Sequence, residues 1–402
     1  MNQTFQRIVK LLASLLLIAG SQSAANAEEL LDVSREKVVP IDLVVVELKT
    51  PYSSKPYAPG STGIVWSRKI GHDMEVAGVR LHLKISETAT LPYEIRVSDV
   101  NGQEIERISS DSPLLRGGEF WTSLVPGRKA KLELVTVGDP TPIEVLVDRY
   151  AYTISNAKPQ ATVGRDDKIE IKDAPADIRL LAPPIARLVI MMPAGGAYCT
   201  GFLLAKSLLL TNQHCIQNDD EARSTVVEFK YENPNPKPSQ YHVLKLEAVN
   251  KALDYALVRV DRAPGEQFKP VDISLAAPGI TEKMNLTVIQ HPAGRPKMAA
   301  IKDCMVGGLN RMGVDQAGTD FGHSCDTLGG SSGSPVFAWS NRKVVGLHHL
   351  GFREGIDQPV NQAVYLAKVL ADVKNRNPAA YAEIAAMHPG MKTGPTMESL
   401  PR

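Results

Sequence analysis

The sequence has little of several features that mark specialised classes of protein. Only four of its 402 residues are cysteine, and 5% are aromatic. Its 45 basic side chains nearly balance 44 acidic ones, so the formal net charge is +1. Such a chain has no overall electrostatic reason to bind nucleic acid or an anionic membrane. After residue 27, no uncharged apolar run approaches the roughly 20 residues that a membrane helix requires. The length favours two folding units of an ordinary globular protein.

The N-terminus predicts the compartment. Arg7 and Lys10 precede an apolar run from Leu11 to Ala19, and Ala25-Asn26-Ala27 supplies the small residues of a cleavage site. This pattern is typical of a secretory signal peptide over residues 1–27, and the run is too short for a stable membrane helix. The alternative is a retained anchor. We expect an exported protein, periplasmic or extracellular, without a stable membrane anchor.

The four cysteines agree with export. Cys199, Cys215, Cys304 and Cys325 form an even set, and such a set in an exported protein indicates two disulfides. Three pairings are possible, and the pairing between sequence neighbours joins Cys199 to Cys215 and Cys304 to Cys325. No pair has CxxC spacing, and Cys199 with His214 and Cys215 is a poor zinc pattern. We predict neither a metal site nor a cofactor.

Period-2 alternation dominates the first half of the chain. Val79, Leu81, Leu83 and Ile85 alternate with polar residues, as in a half-buried strand. Similar short strands recur up to Tyr152 without a convincing helix. The pattern predicts an antiparallel β-sandwich over residues 28–155, with no visible chemistry of its own.

The second half is predicted to be all-β as well. Residues 156–183 are interrupted by prolines and are predicted to form a linker and the start of the domain that follows. Short strands resume over residues 184–375, which predicts a closed domain of two β-barrels. One apolar stripe predicts a C-terminal helix from Gln362 to Lys374, stopped by Pro378. Residues 376–402 are expected to form a loosely held tail.

Three segments of this second half carry polar residues in a pattern that points to chemistry. His214 follows an apolar strand, Asp254 opens another, and Ser332 lies in the glycine-rich turn from Gly329 to Pro335. Each has an ordinary structural explanation alone: a structural histidine, a capping aspartate and a linker. Their joint occurrence favours nucleophilic catalysis, in which Ser332 needs a base that titrates near neutral pH and His214 needs an orienting carboxylate.

The glycines of this turn fit the same chemistry. Gly330 lets the backbone turn so that its N–H and that of Ser332 point at one place. Two such donors stabilise the oxyanion that develops during acyl transfer. We therefore predict an oxyanion hole at the amides of Gly330 and Ser332.

These motifs resemble the chymotrypsin-like serine peptidases, and within them the bacterial glutamyl endopeptidase branch. The matching segments are residues 211–215, 254–257 and 329–337, with 163–168 and 291–297 closer to the branch. The resemblance extends over roughly residues 162–375. It implies a trypsin-like double barrel, Ser332 as nucleophile, His214 as general base and acid, Asp254 as orienting carboxylate, and the bridge Cys199–Cys215. Ser331 stands where vertebrate digestive relatives have an aspartate, so activation by a buried ion pair to a new N-terminus is not expected.

The resemblance also indicates a specificity pocket. Thr327 and His348 occupy the positions that line the pocket in glutamate-cleaving relatives, and a hydroxyl with an imidazole suits a substrate carboxylate. Asp326 would favour basic side chains if it pointed inward. His349 follows His348 directly, so either imidazole is a candidate for the pocket.

We therefore expect an exported serine endopeptidase acting on protein or peptide substrates, with acidic, basic and other specificities left open. Two alternatives remain: an inactive binding protein with a peptidase fold, and an adhesion or carbohydrate-binding sandwich carrying a peptidase domain. The sandwich is also a candidate propiece, with a processing site between Ala157 and Gly164. The sequence makes no prediction of oligomeric state.

Overall fold

A computed structural model describes residues 41–49, 62–87, 92–137, 143–153, 166–192, 195–233, 237–273, 280–351 and 361–389. The predicted signal peptide and the processing site between Ala157 and Gly164 lie outside these ranges. Within them, no helix has the length and apolar character needed to cross a bilayer.

The described part of the chain is built mainly of strands. In the first half these are β1 (Ile41–Lys49), β2 (Thr62–Gly71), β3 (Gly78–Glu87), β4 (Tyr93–Ser98), β5 (Glu104–Ser109), β6 (Glu119–Trp121), β7 (Val125–Pro126), β8 (Lys129–Val137) and β9 (Ile143–Thr153). They continue with β10 (Ile169–Glu170), β11 (Ile185–Met192), β12 (Gly195–Leu203), β13 (Leu208–Thr211), β14 (Val226–Phe229), β15 (Ser239–Asn250) and β16 (Tyr255–Val260). The last are β17 (Leu286–Gln290), β18 (Met298–Ala300), β19 (Asp320–His323), β20 (Pro335–Ala338), β21 (Val344–Leu350) and β22 (Asn361–Tyr365). The helices are α1 (Ala176–Arg179), α2 (Asp219–Ser224), α3 (Leu366–Arg376) and α4 (Pro378–Met387).

The first half forms the expected sandwich. One sheet has the order β1-β9-β3-β6, with β7 also paired to β3, and the other has the order β2-β8-β4-β5. Alternate residues of facing strands, such as Leu81, Leu83, Ile95 and Val97, are buried in one apolar cluster between the sheets. The alternation that predicted half-buried strands therefore reflects this shared core.

Two barrels follow, as predicted for an all-β double-barrel domain. The first has the order β11-β14-β15-β16-β13-β12 and closes because β12 pairs with β11. The second has the order β17-β20-β21-β22-β19. It is closed by bridges that join Asn285 to Met305 and Val306 to His323. A large apolar cluster that includes Phe202, Leu210 and Phe337 packs between the barrels.

The sandwich is joined closely to the first barrel. β1 pairs with β12 through Ile41 and Gly196, so one sheet continues from the sandwich into the barrel. The Arg80 side chain crosses the junction. It is 1% exposed and donates to the carbonyls of Thr122, Val189 and Ser224 at 2.8, 3.1 and 2.9 Å. The sandwich therefore shares backbone pairing and a buried cation with the barrel.

The C-terminal region corrects two expectations. The predicted helix begins only at Leu366, because Asn361–Tyr365 forms a strand between β21 and β19. Residues 376–389 are not a loose tail: Pro378 starts α4, whose first turn is capped by the Asn377 side chain. Ile384 of α4 is fully buried in the cluster between the barrels. Residues 390–402 lie outside the described ranges.

The predicted connector is also part of the domain from residue 166 onward. β10 pairs with β18, and Ile171 and Ile178 are buried in the same central cluster. Pro183 and Pro184 lie in the turn that leads into β11. Residues 166–183 thus pack with the barrels that follow residue 184.

Candidate active site

The structure brings His214 and Asp254 together. His214 lies in the turn after the buried strand β13, and its side chain is 4% exposed. Its backbone N–H donates to Asp254 Oδ1 at 2.9 Å, and its ring Nδ1 lies 2.7 Å from Oδ2. Because a carboxylate only accepts, Nδ1 carries the ring proton. The pair therefore selects the tautomer in which Nε2 is the basic nitrogen.

Asp254 is held in a strained turn at the head of β16. Its φ of 44° lies in the left-handed region, which is uncommon for a non-glycine residue. The Asn212 side chain donates to the Asp254 carbonyl at 2.8 Å and steadies the turn. Burial alone would raise the pKa of Asp254, but the charges and hydrogen bonds of His214 and His349 outweigh it and hold the pKa below its ordinary value. Asp254 is therefore an ionised carboxylate in the interior.

A second histidine lies behind this pair. His349 Nδ1 is 3.2 Å from Asp254 Oδ2, and His349 Nε2 is 2.5 Å from Asp320 Oδ2. Both ring nitrogens face carboxylate oxygens, so both carry protons and His349 is an imidazolium. Burial opposes this charge, but Asp320 and Asp254 raise the pKa of His349 to about 10. The sequence makes either imidazole a candidate for the pocket, and His349 lies between the two aspartates.

The serine turn is hydrogen-bonded to β12, the strand before β13. Thr200 of β12 donates from its N–H to the Ser332 carbonyl at 2.8 Å and from its hydroxyl to the Gly330 carbonyl at 2.9 Å. Cys199, the residue before Thr200, is joined by a disulfide to Cys215, the residue after His214. The turn of Ser332 is thus tied through β12 to the turn of His214, and the Ser332 side chain lies in a site with little exposure.

The turn also leaves two backbone donors available. Within the described residues, the N–H groups of Gly330 and Ser332 have no acceptor. Gly330 has a φ of +89°, which an L side chain rarely adopts. A β-carbon there would also lie 3.0 Å from the His291 carbonyl oxygen. Glycine at this position therefore serves both the turn and the close approach of the neighbouring loop.

Ser331 stabilises the turn from inside. Its hydroxyl donates to Gln290 Oε1 at 2.5 Å and accepts from the Leu328 N–H at 3.1 Å. Gln290 in turn donates to the Asp326 carbonyl at 2.7 Å. Ser331 thus holds the turn through neutral hydrogen bonds.

The predicted pocket residues Thr327 and His348 are both 3% exposed. His348 Nδ1 lies 3.1 Å from Nε2 of a further buried histidine, His323. Burial lowers the pKa of His323 to about 3 and holds the pKa of His348 well below its ordinary value, and neighbouring histidine charges act in the same direction. The two imidazoles are therefore a neutral, hydrogen-bonded pair.

Asp326, the third predicted pocket residue, has a different contact. Its Oδ2 accepts the Asp167 N–H at 2.9 Å. One carboxylate oxygen is thus used to hold the segment that leads into β10, and 7% of the residue is exposed.

The structure has two disulfides, Cys199–Cys215 and Cys304–Cys325, as the local pairing predicts. The sulfurs of Cys199 and Cys215 lie within 4.8 Å of a His214 ring nitrogen, a spacing at which three ligands can hold a metal ion. Both sulfurs are oxidised, however, so they offer no thiolate to a metal.

Sequence reasoning missed Asp320 and His323 as site residues. Both belong to β19, whose four residues Asp320–His323 are too short and too polar to predict a buried strand. Their nearness in sequence to Cys325 and Ser332 was the signal that could have found them.

Comparisons with known proteins agree with this geometry. Residues 199–347 match the family described as trypsin-like peptidase domain. The chain is 32% identical over 181 residues to secreted RxLR effector protein 73 of Plasmopara viticola, covering 42% of this chain and 44% of that protein. It is 28% identical over 186 residues to a glutamyl endopeptidase of Staphylococcus epidermidis, covering 44% and 62%. It is 26% identical over 264 residues to the uncharacterized protein y4fB of Sinorhizobium fredii, covering 54% and 39%. The matches thus span less than two thirds of each relative.

Among solved structures, a Glu endopeptidase in complex with MPD aligns with a TM-score of 0.40 and 20% identity, over 56% of this chain and 98% of that chain. A scabies mite inactivated protease paralogue aligns with a TM-score of 0.40 and 14% identity, over 49% and 95%. The sequence matches and the two closed barrels, not these structural alignments, support the family to which the second half is compared. Residues 199–347 of this chain are thus similar to trypsin-like peptidase domains, and the comparisons support a chymotrypsin-like serine peptidase.

Proposed function

We propose that this protein is an exported serine endopeptidase that cleaves peptide bonds through an acyl-enzyme intermediate. In this proposal Ser332 is the nucleophile, His214 the general base and acid, and Asp254 the orienting carboxylate. The observation that carries it is the 2.7 Å contact of His214 Nδ1 with the buried Asp254, next to the docked serine turn.

The proposed reaction has two halves. As Ser332 Oγ attacks the carbonyl carbon, its proton passes to His214 Nε2, and Asp254 stabilises the imidazolium that forms. His214 then protonates the departing amine, which leaves an ester on Ser332. A water molecule, deprotonated by His214, hydrolyses this ester and restores the serine.

The amides of Gly330 and Ser332 are proposed to stabilise the oxyanion of each tetrahedral intermediate. Support comes from their lack of an acceptor within the described residues and from the docking of the turn by Thr200. Donors held in place before the reaction cost no reorganisation, and loss of one typically costs about 2.7–4 kcal/mol of barrier.

We further propose a preference for an acidic side chain before the scissile bond. Thr327 and His348 supply a hydroxyl and an imidazole, and the His348 ring is hydrogen-bonded to His323. A substrate carboxylate would supply the negative charge that this buried, neutral pair lacks, which would favour protonation of His348. A basic preference is less well supported, because one carboxylate oxygen of Asp326 already accepts the Asp167 N–H.

Export is part of the proposal. The two disulfides are stable in oxidising compartments, and the sequence predicts a signal peptide. The expected substrates are proteins or peptides outside the cytoplasm.

The test combines labelling with cleavage mapping. A fluorophosphonate should modify Ser332 in the folded wild-type protein and leave the Ser332→Ala variant unmodified. Mass spectrometry of a digested peptide library should show cuts after Glu or Asp. Absence of an adduct on folded wild-type protein would favour an inactive peptidase fold, and cuts after Lys or Arg would overturn the acidic preference.

A further inference from the structure

A groove runs between the sandwich and the peptidase domain. Its volume is about 1010 Å³, at the upper end of the range that proteins use to bury a small-molecule ligand. Gln103 and Ile105 line it from the sandwich, and Tyr198, Tyr231 and Gly294 line it from the peptidase domain. The groove is large enough for several residues of a polypeptide.

The sandwich wall of this groove is fixed to the peptidase domain. The Leu124 N–H donates to Gln240 Oε1 at 2.7 Å, and Gln240 Nε2 donates to the Leu124 carbonyl at 2.8 Å. Glu106 forms a buried hydrogen bond with His242 in the same junction. The two walls are therefore held in one relative position.

One end of the groove reaches the catalytic turn. The Ala293 N–H donates to the Gly329 carbonyl at 2.6 Å. A β-carbon on Gly330 would lie 3.1 Å from the Gly294 nitrogen, and one on Gly294 would lie 2.7 Å from the Tyr198 ring. The residues that line this end thus touch the turn that carries the proposed oxyanion donors.

The same end lies on the histidine side of the site. Tyr198 precedes Cys199, which is bonded to Cys215 beside His214. In the proposed mechanism His214 protonates the departing amine, so the peptide that follows the scissile bond must pass next to this histidine. Its path therefore leads from His214 past the disulfide to Tyr198 and into the groove.

We propose that this groove binds the polypeptide segment on the C-terminal side of the cleaved bond, with the β-sandwich as one wall of the substrate site. The inference rests on the proposed function and extends it. The sandwich then takes part in substrate binding, and the preferred substrates are extended polypeptides with several residues after the cleaved bond.

The walls fit a polypeptide in chemistry as well as in size. Ile105, Tyr198 and Tyr231 provide apolar surface, whereas Lys237 and Arg295 provide exposed cations at the rim. Charged residues such as Glu104 and Arg262 also line the groove, so its walls combine apolar surface for side chains with polar groups that pair with a peptide backbone.

The experiment uses the full chain and peptides of identical acyl sequence with one, two or four residues after the cleaved bond. We expect kcat/KM to rise about tenfold when the peptide has four residues after the cleaved bond in place of one, because only the longer peptides reach the groove. Gln103→Trp, which fills the groove from the sandwich wall, should reduce this gain to about twofold or less. Lys69→Trp is the matched control on an exposed strand position that does not line the groove, and it should keep the full gain.

Equal kcat/KM for all lengths in the wild-type protein would overturn the proposal, as would an unchanged gain in Gln103→Trp with an unchanged unfolding midpoint. Fluorophosphonate labelling of Ser332 separates these results from failure of the proposed function. If Ser332 is labelled but kcat/KM does not depend on peptide length, only the groove proposal is refuted. If Ser332 is not labelled and no peptide is cleaved, both the proposed peptidase activity and the groove proposal are refuted.

Discussion

The imidazolium of His349 offers a sharp test of the buried charge arrangement. It lies between Asp254 and Asp320, and all three side chains are at most 1% exposed. His349→Asn removes the positive charge and leaves two carboxylates in the interior. Breaking a buried ion pair from one side typically costs about 3–5 kcal/mol of unfolding free energy.

The pKa of His349 gives a second value for the unfolding free energy that this charge contributes. A rise from 6.5 to about 10 corresponds to about 5 kcal/mol at 1.36 kcal/mol per pH unit. Because the pKa is higher in the folded state, this stabilisation is complete below pH 6.5 and is lost as the pH rises toward 10. The stability difference between wild type and His349→Asn should therefore be about 5 kcal/mol near pH 6, about 3 kcal/mol at pH 8 and close to zero above pH 10.

The assay is urea unfolding at these three pH values, followed by tryptophan fluorescence. The control is the double variant Asp320→Asn with His349→Asn, which restores the net charge of the wild-type cluster. It should recover at least half of the stability that the single variant loses at pH 6. A pH-independent loss, or a double variant no more stable than His349→Asn alone, would refute the charge argument.

Other predictions follow from the same contacts. Ser332→Ala should abolish peptide turnover while leaving the unfolding midpoint nearly unchanged, as measured by peptide cleavage and circular dichroism. His348→Phe should reduce the preference for Glu over Gln before the cut about tenfold or more, as measured by the ratio of kcat/KM values; an unchanged ratio would remove His348 from the pocket. Arg80→Met should destabilise the protein by about 2–4 kcal/mol, because three buried carbonyls lose their donor; a change below 0.5 kcal/mol would contradict this. Replacement of Cys304 and Cys325 by serine should cost about 3 kcal/mol in urea unfolding, because a loop closed over 21 residues is released in the unfolded chain; equal stability would exclude that contribution.

The junction also bears on the role of the sandwich. Pairing of β1 with β12 and the buried Arg80 connect the two parts independently of the chain between them. If the chain is cut between Ala157 and Gly164, we expect both pieces to elute together in size-exclusion chromatography at neutral pH. Separate elution without denaturant would support a role of the sandwich as a propiece that is removed.

Local patterns predicted much of the fold. The alternation around Leu81 and Leu83 was enough to predict a strand, because a sheet with one buried face imposes period 2 on the residues themselves. The stripe around Val369 and Leu370 likewise predicted the C-terminal helix, although not its first residue. The strand Asn361–Tyr365 was missed because its identity depends on the partners β19 and β21 on either side.

The sequence by itself also determined the candidates for catalysis, since the order and local contexts of His214, Asp254 and Ser332 are visible in one dimension. Only the tertiary structure decided what surrounds them. The two imidazoles of His348 and His349 are adjacent in the chain but point to opposite faces of β21, so one meets His323 and the other meets two aspartates. Burial, charge and contact between distant segments arise only when the barrels close, and these set the pKa values and the groove beside the site.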